Sequence, residues 1–283
     1  MKKTIENGAY TGERALFMSK DVHILNCVFE DGESPLKESS NLDIDNSEFR
    51  WKYPLWYTEN VKCNNVTFLE TARSGVWYVK NIEFNFSNII APKTFRRCDG
   101  VKLVFTKLPN AQETIWKCKN VVLENVEVAG DYFGMNSENI EANELHIDGN
   151  YCFDGAKHIR INNSVLKSKD SFWNCEDVVI TNSTIIGEYL AWNTKNITFI
   201  NCKLISHQGL CYIDGLKMVN CELVDSDLCF EYCSDIDADI STEVDSIKNP
   251  ISGVIRVKNV KEIIQDDENI DKSKVKIVVG YGE

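Results

Sequence analysis

Five of the six tryptophans in this 283-residue chain are Trp56, Trp77, Trp116, Trp173 and Trp192. They are separated by 21, 39, 57 and 19 residues, which are one, two, three and one steps of a period of 19 to 21. The other positions of that column hold Phe17, Lys37, Arg96, Met135, Asp154 and Cys211. Charged residues share the column, so it is expected to face outward. The next residue along supplies Tyr57, Tyr78, Arg97, Lys117, Asn136, Asn174, Asn193 and Tyr212. An exposed strip of indoles, phenols and amides has the chemistry of a sugar groove, because aromatic faces cover sugar C–H surfaces and amides reach hydroxyls. Trp173, Asn174, Trp192, Asn193 and Tyr212, with Tyr132, Tyr151 and Tyr189 from loops on the same side, are the candidate oligosaccharide-binding residues.

The same loops carry Asp170, Glu188 and His207 in register, and Asp154 lies in the tryptophan column. Asp154, Asp170, Glu188 and His207 are the candidate catalytic residues. Carboxylates on adjacent turns of such a repeat stand about 5 Å apart and on alternate turns about 10 Å apart. Those values bracket the separations used in glycoside cleavage. A carboxyl beside tryptophan is expected to have a raised pKa, as a general acid requires. The competing reading is structural: the strip packs under a loop or forms a protein interface, including that of a homodimer. Arg96, Arg97 and Lys117 make a basic spot on the strip that binds an anionic group or neutralises nearby acids.

The elements that position these groups follow from a short pattern, a turn residue, then apolar-x-apolar, then x-Asn. Its first apolar residue falls at Val22, Leu42, Val61, Ile82, Val101, Val121, Ile140, Ile159, Val178, Ile197 and Leu216, and Ile236 continues the register. The local period is 2, so each copy is a strand. Strands recurring every 19 to 21 residues with no helical pattern between them predict a coil of chain, each strand pairing in parallel with its counterpart one turn later. Further columns stay apolar two residues on, seven residues on and six residues before. Four residues on, Asn26, Asn46, Asn65, Asn125, Asn163, Asn182, Asn201 and Asn220 predict an amide ladder. The residue before each strand is Asn, Asp, Gly or His, types that tolerate a left-handed turn. One column earlier the charges alternate from Glu59 through Lys80 and Asp99 to Lys195 and Asp214, which predicts ion pairs between neighbouring coils.

Composition bounds the partners. The chain has 31 Lys+Arg against 43 Asp+Glu, a net charge of −12. That balance argues against nucleic acid and anionic membranes, both of which need clustered cations. The eleven cysteines are an odd number without close C-x-x-C pairs, Cys229 and Cys233 being the nearest approach. They are expected to be reduced, buried small residues and not metal ligands, and no metal or cofactor is expected. Glu6, Asn7 and Gly8 stand where a secretory signal would be apolar, and no run of 18 apolar residues occurs, so a cytoplasmic location is expected.

The stacked aliphatic columns and the asparagine ladder resemble the right-handed parallel β-helix of pectin-lyase-like proteins. More narrowly, the segments Gly12-Glu13-Arg14-Ala15-Leu16-Phe17, Trp51-Lys52-Tyr53-Pro54-Leu55-Trp56, Gly130-Asp131-Tyr132-Phe133-Gly134 and Leu228-Cys229-Phe230-Glu231-Tyr232-Cys233-Ser234-Asp235-Ile236 resemble an uncharacterised bacterial β-helix family of unknown function. The resemblance implies an all-β fold, a single-stranded right-handed parallel β-helix of about 12 coils of 19–21 residues. It implies no activity. Right-handedness also follows from the crossover rule for parallel strands. The Gly-His-Gly motif and arginine-rich strands of pectin-degrading enzymes are missing, and Asp266-Asp267 lies outside the coils. One domain over 1–283 is expected: a cap over 1–15, regular coils over 16–240 and capping strands over 241–283, with residues 241–250 as a loop. The functional expectation is a carbohydrate-associated protein, glycan-cleaving or glycan-binding; the alternative is a non-enzymatic scaffold.

Overall fold

The computed structural model describes residues 2–282, which fall into two compact units divided between Ile147 and Asp148. Each unit is a parallel β-solenoid, and the described residues contain no α-helix. In the first, parallel register joins Lys3, Val22, Leu42, Val61, Ile82, Val101 and Val121. In the second it joins Ile159, Val178, Ile197, Leu216, Ile236, Gly253 and Val275.

The repeat thus runs further than its apolar signature, to about 15 turns instead of about 12. Lys3 and Gly253 break the apolar column, which hid these coils in the sequence. Gly253 sits at φ +116°, where a Cβ would lie 2.1 Å from the Ile236 carbonyl oxygen, so only glycine closes that rung. Residues 241–248, expected as part of a loop, continue the Ser234–Lys248 strand instead. Its alternation of Asp, Ser and Glu with apolar residues marks a half-exposed strand, which a composition-based loop assignment misses.

Inside each coil the expected columns are buried. Phe29 stacks on Phe49 with centroids 4.6 Å apart, Phe68 meets Phe49 at a tilt at 4.9 Å, and all three are at most 2 % exposed. Each such ring contributes roughly 1.5–3 kcal/mol of burial. The corners are made by residues with positive φ. The pre-strand column obeys this at Asp21, Asn41, Asn60, Asn81, Asn120 and Asn196, as the residue types require. The corner before the tryptophans is less permissive in type. Phe95 and Ile115 in the first unit, and Phe153, Phe172 and Leu210 in the second, take φ of 54–64° while fully or almost fully buried. Core packing outweighs their backbone preference.

Small donors line two inner corners. Ser39 and Ser137 hydroxyls donate to the carbonyls of Leu16 and Ile115, and Cys98 and Cys118 thiols donate to Val76 and Phe95. In the second unit Cys175, Cys202, Cys221 and Cys233 do the same for Phe153, Ile180, Phe199 and Leu210. All eleven cysteines are free and buried. Burial pushes the Cys152 and Cys211 thiols up to about 12. These cysteines act as hydroxyl surrogates that satisfy turn carbonyls.

Candidate ligand-binding strips

In the second unit the tryptophan column lies between two left-handed residues, which turns the indoles out of the core. Trp173 and Trp192 lie parallel with centroids 5.4 Å apart. Each indole N–H donates to a main-chain carbonyl, Trp173 to Tyr189 at 2.9 Å and Trp192 to Gln208 at 3.2 Å. Tyr151 meets Trp173 edge-on at 6.0 Å, Tyr189 meets Trp192 at 5.1 Å, and Tyr212 meets Trp192 at 6.0 Å. Tyr212 stacks on Tyr232 at 5.3 Å, which carries the aromatic strip one coil further. The indole faces are occupied by each other and by tyrosine edges. Beside them runs an exposed amide row: Asn193 Nδ2 donates to Asn174 Oδ1 at 2.8 Å, and Asn174 Nδ2 donates to Asp154 Oδ1 at 2.9 Å.

Each candidate acid is already engaged. Asp154 accepts the Asn174 amide. Asp170 is 2 % exposed; burial raises its pKa against the opposing effects of Lys169 and the Tyr151 hydroxyl bond. Glu188 pairs with Lys169 at 3.3 Å, and Lys169 also lies over the Tyr189 ring at 5.6 Å. Asp170 and Glu188 are close enough for the Glu188 charge to add to the rise at Asp170. His207 is exposed, and its main-chain carbonyl receives the Asp227 N–H. Tyr132 belongs to the first unit, where its ring is 6.4 Å from Trp116. The structure therefore gathers Tyr151, Trp173, Tyr189, Trp192 and Tyr212 with Asn174 and Asn193 in the second unit.

The first unit carries its own strip. Trp56 and Trp77 stack at 5.1 Å. Arg96 lies between Trp77 and Trp116, its guanidinium carbon 5.3 and 5.0 Å from their rings, and pairs with Glu113. Outside this wall Tyr57 and Tyr78 stack at 4.9 Å, capped by Lys37 over Tyr57 at 5.7 Å and by Arg97 over Tyr78 at 5.8 Å. On another face an open groove of ≈ 520 Å³ runs between the amide ladder of Asn41, Asn60 and Asn81 and a charged row that includes Lys62, Glu83 and Lys102. Phe86 and Phe105 interrupt the second amide ladder, stacking at 5.2 Å while 65 % and 50 % exposed. Their place in the asparagine column was readable in sequence as a break in the ladder. Among the described residues no cluster of three or more His, Cys, Asp or Glu side chains is arranged to hold a metal, and no helix is long and apolar enough to cross a membrane.

Stacked parallel coils with outward aromatic and amide ladders define a parallel β-solenoid. The chain belongs to a family described as a protein of unknown function, DUF3737, whose model matches residues 3–278. Among solved structures, PfbA, a surface adhesin of Streptococcus pneumoniae, is similar over 84 % of both chains, at 10 % identity and a TM-score of 0.50. HetL, a pentapeptide-repeat protein of the cyanobacterium Nostoc, is similar over 78 % of this chain and 92 % of its own, at 10 % identity and a TM-score of 0.33. At 10 % identity the adhesin likeness speaks to fold alone. No curated protein matches the chain in sequence.

Proposed function

We propose that the protein is a non-catalytic glycan-recognition solenoid that holds a neutral oligosaccharide along the second-unit strip. The observation that carries this is the exposed row of Asn174, Asn193 and Tyr212 set against the Trp173–Trp192 wall. The ladder bond between the two amides leaves further N–H and carbonyl capacity on each for hydroxyls. Because the indole faces are stacked on one another, recognition falls to amides, phenol hydroxyls and ring edges. The engaged state of Asp154, Asp170 and Glu188 supports binding over cleavage, since a general acid and a nucleophile need free access to the scissile bond.

The test is a glycan array probed with the full chain, followed by tryptophan-fluorescence titration of any retained oligosaccharide. The expected result is retention of at least one neutral class, weakened about tenfold or more by Asn174→Ala with Asn193→Ala, without product formation. An array with no signal above background sinks the reading. A second reading, a protein-interaction surface, is favoured by Phe86 and Phe105. Two stacked phenylalanines held at positive φ and left exposed are an uncommon use of an asparagine-type corner.

A further inference from the structure

We infer that the exposed row Tyr78, Arg97 and Lys117 of the first unit is a binding site for the phosphate monoester of a small ligand. Arg97 and Lys117 occupy the same position of adjacent coils, both with left-handed backbone, φ 51° and 53°. Their side chains leave the corner in the same direction, one coil rise of about 4.8 Å apart. Both are exposed, and among the described residues neither is within ion-pair distance of a carboxylate.

Their surroundings do the opposite. Glu113, the nearby acid, is taken up by Lys93 and Arg96. Lys102 pairs with Glu83, Lys107 with Glu127 and Lys119 with Glu138, each across one coil. The rule in this unit is cation over anion, and at Arg97 and Lys117 it becomes cation over cation. In a chain of net charge −12, two stacked cations left without a carboxylate call for a mobile counter-anion.

The chemistry narrows the anion. A monocarboxylate neutralises one of the two charges. A phosphate monoester carries about −1.5 to −2 with three acceptor oxygens, enough to accept from the planar guanidinium fork and from the ammonium together. The Tyr78 hydroxyl, next in the column, adds a neutral donor for the ligand's organic part, and the Tyr57–Tyr78 stack under Arg97 holds the guanidinium in place. A long polyanion would meet the negative charge of the rest of the surface, which favours a small ligand over a nucleic acid strand.

The experiment is isothermal titration of the full chain at low ionic strength with inorganic phosphate and with glucose 6-phosphate, using acetate and glucose as controls. One saturable site is expected for the sugar phosphate. Equal affinity for inorganic phosphate assigns the free ion as sufficient, and weaker affinity assigns the esterified form. Arg97→Ala and Lys117→Ala are each expected to weaken binding about tenfold or more, Arg97→Lys less, and Lys107→Ala not at all. Circular dichroism confirms that the variants keep the fold. The inference is overturned if neither phosphate binds, if acetate binds as well as they do, or if the Arg97→Ala, Lys117→Ala double variant binds phosphate like the parent. It is also overturned if a single-stranded oligonucleotide binds through these two residues while neither phosphate does.

Discussion

Gly100 stands between Asn81 and Asn120 in the pre-strand column, and the reason is local. Its φ is +79°, and a Cβ there would lie 2.7 Å from Asn81 Oδ1, the amide that ends the lower stretch of the ladder. Gly100→Ala is expected to cost roughly 1–3 kcal/mol in urea unfolding, from a left-handed alanine together with a displaced amide. Asp170 makes a second residue-scale case. Burial holds its folded-state pKa above the ordinary carboxyl value. The folded protein therefore favours the protonated form, and stability from this group is fullest in acid and falls as pH rises through the raised value. Asp170→Asn should flatten that fall and leave the protein at least as stable as the parent at pH 7, measured as thermal midpoints from acid to neutral pH. A steeper fall in the variant would show that the charged carboxylate is the stabilising form. In the sequence, Asp170 stands out only by its loop position in register with Tyr151 and Tyr189. Its burial was not legible, because the inward or outward aim of a loop residue is set by the local backbone of its loop and not by periodicity.

At the scale of the element, a coil corner needs a small donor more than it needs a particular atom. Cys175 donates to the Phe153 carbonyl at 2.9 Å, while Thr194, one coil on, gives the same service to Phe172. Cys175→Ser should sit within about 0.5 kcal/mol of the parent, whereas Cys175→Ala should lose about 1 kcal/mol or more from the unmet carbonyl and the small void. Phe86 and Phe105 are the converse case, where the corner holds the wrong type for stability. Replacing both by asparagine is expected to be neutral or stabilising by up to about 1 kcal/mol. Loss of a protein partner on the same substitution would favour the interaction reading. Strand identity, register and the core columns were legible, since a period of 2 nested in a period near 19 has no other economical solution. Stacking was less so: a tryptophan column announces itself, but its rings could have faced a ligand and instead face one another. The reason lies in the indole N–H bonds to the next coil's carbonyls, which no column of residue types reveals.

At the scale of the whole molecule, burial of every thiol has a direct readout. Ellman's reagent should find almost no reactive cysteine in the native chain and eleven after unfolding. Early reaction of a subset would mark coils that open below global unfolding. Within each unit the coils pair with their neighbours in sequence, and protection from hydrogen exchange should be low at the first strand, Lys3–Glu6, and the last, Val275–Val279.

That last strand has a further consequence. Among the described residues it pairs only with Gly253–Ile264, so one row of its peptide groups is left to water. Such a margin is a template on which another chain could crystallise, strand upon strand. Lys276 lies in the strand, and Lys272 and Lys274 lie in the turn that enters it, with the Lys272 ammonium on the Gln265 carbonyl, so two copies meeting there would set like charges near one another. Three positive charges thus stand against strand-on-strand association at this edge. Exchanging all three for glutamine should turn a clear preparation into one that scatters light and binds thioflavin.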